Sequence, residues 1–102
     1  MARVLITHNN DLLVNFYSLE AVEQLREFCD VRLYGTDTPL TGADLVKAAS
    51  DCDIVISDRL AAGTPEVFDG LPNLMAFLRC AVDMRNIDVE AASRNGTLVA
   101  RN

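Results

Sequence analysis

Five short apolar runs recur along this chain, each parted from the next by a segment with helical signals. That alternation narrows the possible folds more than any single residue does. The runs fall at residues 4–6, 31–34, 54–56, 74–78 and 97–100. Val4-Leu5-Ile6 and Ile54-Val55-Ile56 are apolar without a break, so they read as strands buried on both faces, as in parallel sheets. The run from Leu74 to Leu78 follows Gly70, Pro72 and Asn73 and is too short for a helix, so it reads the same way. Val31-Arg32-Leu33-Tyr34 alternates more and suits a sheet edge.

The intervening segments carry helix signals. Ser18 is placed to cap a helix running to about Phe28, with Leu19, Val22, Leu25 and Phe28 on one face. Thr41 with Asp44 three residues later has the spacing of a capping box, opening a helix to about Ser50 with Leu45, Val46 and Ala49 inward. Thr64-Pro65-Glu66 sets a cap, a first-turn proline and an acid at the start of a short helix that Gly70 ends. Asp88 caps a helix over residues 89–95, and Gly96 closes it in the left-handed conformation. Strand and helix in strict alternation imply an α/β domain with a parallel sheet and right-handed crossovers. The expected architecture is a flavodoxin-like three-layer domain with a five-stranded sheet of order 2-1-3-4-5. At 102 residues, the whole chain from 1 to 102 is expected to form one domain around one core.

Composition excludes several classes of function. Half of the residues are hydrophobic and 24% are charged, the balance of an ordered globular protein. The net charge of -6 argues against nucleic acid, because phosphate binding calls for clustered Lys and Arg. No apolar run approaches the roughly 20 residues that span a bilayer, so no membrane is expected. His8, Asn9, Asn10 and Asp11 interrupt the N-terminal region too early for a secretory signal. Cys29, Cys52 and Cys80 form no CxxC pair, which points to free thiols in a reducing, cytoplasmic setting. No group of His, Cys and carboxylates has metal-site spacing.

In a sheet of this order, ligands meet the loops that follow the strands. Those loops hold Thr7, His8, Asn9 and Asn10; Gly35 and Thr36; Ser57, Asp58 and Arg59; the segment from Arg79 to Arg85; and Arg101 and Asn102. Arg59 and Arg85 follow strands expected to be neighbours, and two guanidinium groups there suit a carboxylate or a phosphate. The bland reading is that both arginines pair locally, with Asp58 and Asp83, or face solvent. His8 is the sole histidine, with no carboxylate at a recognisable spacing, and Cys80 reads as a small core residue.

The order of motifs resembles the substrate lobe of NAD-dependent D-2-hydroxyacid dehydrogenases, the family that includes phosphoglycerate dehydrogenase. The resemblance rests on Met1-Ala2-Arg3-Val4-Leu5-Ile6-Thr7, on Thr64-Pro65-Glu66, and on Leu71-Pro72-Asn73-Leu74. It rests further on Asn86-Ile87-Asp88 with Ala91-Ala92, and on Asn95-Gly96 before the last strand. It implies a small 2-hydroxy or 2-keto acid as substrate in the full-length enzyme. It also implies a carboxylate cradle at Asp58 and Arg59 and at Ala81, Val82, Asp83, Met84 and Arg85. The sequence departs from the commonest family pattern where Ala81 and Asp83 replace glycines, which hinders close approach of backbone amides to an anion.

The family's NAD site has no counterpart in the sequence. Gly35, Gly42, Gly63, Gly70 and Gly96 are isolated, and no G-x-G-x-x-G appears. The family's catalytic Arg, Glu and His belong to its dinucleotide domain. The chain is therefore expected to be a truncated substrate lobe, with no cofactor and no catalytic residue of its own. Two other readings share the fold. A phosphoacceptor receiver domain would match Asp58, but it fails at the acidic pair after the first strand and at the Ser or Thr after the fourth. A stand-alone scaffold or interaction module would fold and bind no ligand. Finally, the chain stops too soon to supply a helix after the fifth strand. The sheet face shared with the first helix is then expected to stay partly bare and to drive a homodimer.

Overall fold

In the computed structural model, which describes residues 2–8, 19–34, 40–58, 60–80 and 85–101, the apolar runs lie side by side as one sheet. The strands are β1 (Arg3–Ile6), β2 (Asp30–Leu33), β3 (Ile54–Ser57), β4 (Ala76–Arg79) and β5 (Leu98–Arg101). All pair in parallel in the order β2-β1-β3-β4-β5, as the alternation predicts. The described helices are α1 (Leu19–Arg26), α2 (Gly42–Ala49), α3 (Pro65–Gly70) and α4 (Val89–Arg94).

Side chains of successive strand residues leave opposite faces, and the register sorts them into two layers. Leu5, Val55, Phe77 and Val99 stand in one row. They share a core with Leu45 and Ala49 of α2, Val67 and Phe68 of α3, and Ala91 and Ala92 of α4. Phe68 and Phe77 meet edge to face, with ring centroids 5.4 Å apart. The other face gathers Val4, Ile6 and Val31 around Val22 and Leu25 of α1. Here Ile54, Ile56 and Leu78 are half-buried, Ala100 is exposed, and Leu98 is 65% exposed.

Local chemistry explains the helix ends. Thr64 Oγ1 accepts from the amide of Val67 at 3.3 Å, and Pro65 follows in the first turn. Asp88 Oδ1 accepts from the amide of Ala91 at 3.0 Å, and Gly96 after α4 takes φ +74°. Gly70 is the last residue of α3, with Leu71 as its C-cap. A Cβ there would lie 2.9 Å from Val46 Cγ2, so the glycine lets α3 approach α2.

Three expectations shift, and one lies outside the described residues. Thr41 is extended and makes no side-chain cap, because α2 opens at Gly42 with φ +53°. Phe28 lies beyond the end of α1 and is 74% exposed, off the apolar face assigned to it. Ser18 lies outside the described residues. The fourth strand starts two residues late, at Ala76, and runs through Arg79, which is therefore part of the sheet rather than of the following loop.

Candidate functional site at the ends of the strands

Six polar or charged residues are buried among those described: Thr7, His8, Ser57, Asp58, Arg79 and Thr97. Five of them cluster where β1, β3 and β4 end. Burying polar groups is costly unless their hydrogen bonds are met, and the bonds here are shared between the strands. Thr7 Oγ1 donates to Asp58 Oδ1 at 2.9 Å and accepts from the Asp58 amide at 3.1 Å. Asp58 Oδ1 also accepts from the Ala61 amide at 3.2 Å. From β4, Arg79 Nε donates to Ser57 Oγ at 3.0 Å and Nη2 donates to the Ala61 carbonyl at 2.9 Å. His8 is 2% exposed. Burial pushes its pKa below the ordinary histidine value, and the nearby Asp58 charge offsets this in part.

The loops after β3 and β4 are joined directly. The Gly63 amide donates to the Asn86 carbonyl at 3.0 Å, and the Asp88 amide donates to the Gly63 carbonyl at 2.7 Å. Gly63 faces Ile87 in an isolated parallel bridge. A Cβ on Gly63 would lie 3.0 Å from the Phe68 ring and 3.1 Å from Ile87, so a larger residue would push the two loops apart.

Of the predicted site residues, Asp58 is buried as the organiser of its turn, and Arg85 is exposed at the start of the segment leading to Asp88. Arg59, Ala81, Val82, Asp83 and Met84 lie outside the described residues, as do Asn9, Asn10, Gly35, Thr36 and Asn102. Ser57, Thr7 and His8 join Asp58 in one buried cluster, and Arg101 is exposed on β5. Cys80 is half-buried, and its amide donates to the Ser57 carbonyl at 2.9 Å. Sequence reasoning named Arg79 only as the first residue of a loop. Its in-register position opposite Ser57 is the signal that would have singled it out.

No group of three or more potential metal ligands occurs among the described residues. The described residues at two candidate positions do not fit a dinucleotide. Directly after β1 stand buried Thr7 and His8, where such a site needs small residues against a pyrophosphate. The helix opened by a left-handed glycine, α2, has Glu66 Oε1 2.9 Å from the Cβ position of Gly42, and that carboxylate would repel a phosphate.

The parallel sheet of this order, with its polar groups gathered at the strand ends, defines a flavodoxin-like α/β lobe of the kind that meets ligands on those loops. The catalytic domain of D-isomer specific 2-hydroxyacid dehydrogenases matches residues 4–102. The chain belongs to that family. It is 32% identical over 78 residues to a glyoxylate reductase of Thermococcus kodakarensis, which covers 76% of this chain and 23% of the relative. In fold it resembles a phosphoglycerate oxidoreductase of Vibrio cholerae, with TM-score 0.80, 18% identity, and coverage of 100% of this chain and 31% of that one. It also resembles the 3-phosphoglycerate dehydrogenase of Entamoeba histolytica, with TM-score 0.76, 17% identity, and coverage of 98% and 32%. The chain thus spans about a quarter to a third of the length of these proteins.

Proposed function

We propose that the chain acts as the substrate lobe of a D-2-hydroxyacid dehydrogenase, taking the carboxylate of a small 2-hydroxy or 2-keto acid on the loops after β3 and β4. The observation that carries this reading is the pair of hydrogen bonds through which Gly63 joins Asn86 and Asp88, making one edge of the two loops. The residues assigned to the acid are Asp58, Arg59, Ala81, Val82, Asp83, Met84 and Arg85, with the two arginines supplying the charge. The family match from 4 to 102 supports the assignment. Oxidation or reduction of the acid is assigned to a dinucleotide bound outside these residues, so the 102-residue chain by itself is expected to produce no NADH from hydroxy acids.

The test is a chemical-shift titration of the chain with pyruvate and with glyoxylate. Weak binding that shifts Ala61, Gly63 and Asn86, and that disappears in Arg59→Ala/Arg85→Ala, supports the reading. Binding that survives the double substitution places the acid elsewhere, and NADH formation by the chain alone would overturn the assignment of chemistry.

A homodimer in a reducing cytoplasm completes the proposal. Its support is the strip formed by Ile54, Ile56, Leu78, Leu98 and Ala100 on the half-covered face, together with three free cysteines. Sedimentation at micromolar concentration decides the first point, since a monomer there would rule the dimer out.

A further inference from the structure

We propose that Arg79 is a positioning residue for the acid-binding loops, acting through the peptide groups of Ala61. The inference rests on the substrate-lobe reading above. The Ala61 amide donates to Asp58 through both its carbonyl, at 3.4 Å, and its side chain, at 3.2 Å. The other side of the same residue, the Ala61 carbonyl, is held by Arg79 Nη2 at 2.9 Å. Ala61 has no exposed surface. It is thus gripped on its N–H side by Asp58, just past β3, and on its C=O side by Arg79 of β4. Two residues further on, Gly63 makes the bonds to Asn86 and Asp88.

The choice of residue type matters. Arg79 is 2% exposed, and burying a guanidinium is expensive unless its donors are met. A leucine or methionine would fill the end of β4 more cheaply. What a guanidinium adds is a planar fork whose donors point in fixed directions. Here Nε takes Ser57 Oγ at 3.0 Å while Nη2 takes the loop carbonyl. The fork therefore sets Ser57 and Ala61, which flank position 59 in sequence, relative to the end of β4, which precedes residues 81–85. Those are the two segments assigned to the carboxylate. The role is one of geometry: Arg79 fixes Ala61 against the end of β4, and the charge for the acid is assigned to Arg59 and Arg85.

The experiment compares the wild-type chain with Arg79→Lys, Arg79→Met and Ser57→Ala, using amide hydrogen exchange and titration with pyruvate. In Arg79→Met, exchange at Ala61 and Gly63 is expected to rise about tenfold, the equivalent of one charge-assisted hydrogen bond, while Leu45 in α2 keeps its rate. Pyruvate affinity falls by a similar factor. Arg79→Lys, which keeps the charge and can reach one partner but lacks the fork, recovers part of both, and Ser57→Ala reproduces a smaller share. A rise of equal size at Ala61, Gly63 and Leu45 would show a merely structural role and overturn the proposal, as would unchanged exchange at Ala61. Should Arg79→Met fail to fold, the lysine and Ser57→Ala variants carry the same comparison. If pyruvate shifts nothing in the wild type, the substrate-lobe reading fails, and the exchange rates still decide what Arg79 does.

Discussion

The two faces of the sheet draw on alternate residues of the same strands, and they end in different states. On one face, Val55 and Phe77 have no exposed surface beneath α2, α3 and α4. On the other, α1 covers Val4 and Ile6, and burial then declines across β3 and β4 to Leu98 at 65% exposure. Composition is not the cause, because both faces are apolar. Among the described helices, three pack on the first face and one on the second. Stability is therefore concentrated on the first face, and capacity for further association on the second.

The sharpest way to break this contrast is to cut a side chain from the sealed face. Phe77→Ala removes an aromatic ring with no exposed surface that packs edge to face on Phe68, and its expected cost is about 3–5 kcal/mol in a denaturant titration. A loss under about 1 kcal/mol would show that this face is not the main core. Next in size is the anchoring of α4. Asp88→Ala deletes the acceptor for the Ala91 amide and should cost about 1 kcal/mol. Leu98→Ser, on the open face, is expected to change unfolding free energy by no more than about 0.5 kcal/mol, while shifting any dimer toward monomer in light scattering. If it costs as much as Phe77→Ala, that face is covered after all.

The last comparison is between the two ends of the strands and is read in pH. His8, at the C-terminal end of β1, has its folded pKa lowered by burial from the ordinary 6.5. The unfolded chain then binds the proton more readily, so stability is full above about pH 6.5 and falls as pH drops from there to the folded pKa. Asp51, at the opposite end, is held well below the usual 3.8, chiefly by its hydrogen bonds from Arg32. Its contribution stays intact until pH falls below about 3.8. Melting temperature followed from pH 7.5 to 5 should decline in the wild type and stay flatter in His8→Gln. Equal slopes would mean that His8 does not set the acid limit.

How much of this was legible beforehand follows from what each residue's neighbours in sequence reveal. Val4-Leu5-Ile6 and Ile54-Val55-Ile56 announce buried parallel strands by themselves, and Thr64 and Asp88 announce helix starts because the groups they cap lie three residues away. Thr41 had the same local look and failed, since Gly42 turns the backbone with φ +53° and the helix begins without that bond. Arg79 was illegible for a related reason. Its partners, Ser57 and Ala61, are 22 and 18 residues away, and only strand register brings them within reach. The family resemblance singles out Asp58, but its bond to Thr7, 51 residues distant, could not be read from its neighbours in sequence.

The joining of Gly63 to Asn86 and Asp88 has a consequence for how such a chain tolerates changes in length. Surface loops ordinarily accept insertions, because lengthening an unconstrained connection costs little. These two connections do not have that freedom. Adding or deleting a residue between β3 and Gly63 would slide the glycine off Ile87, and the turn gripped by Arg79 would be misaligned with the opposite strand end. Their lengths are therefore coupled, so that a change in one is expected to be tolerated only with a compensating change in the other.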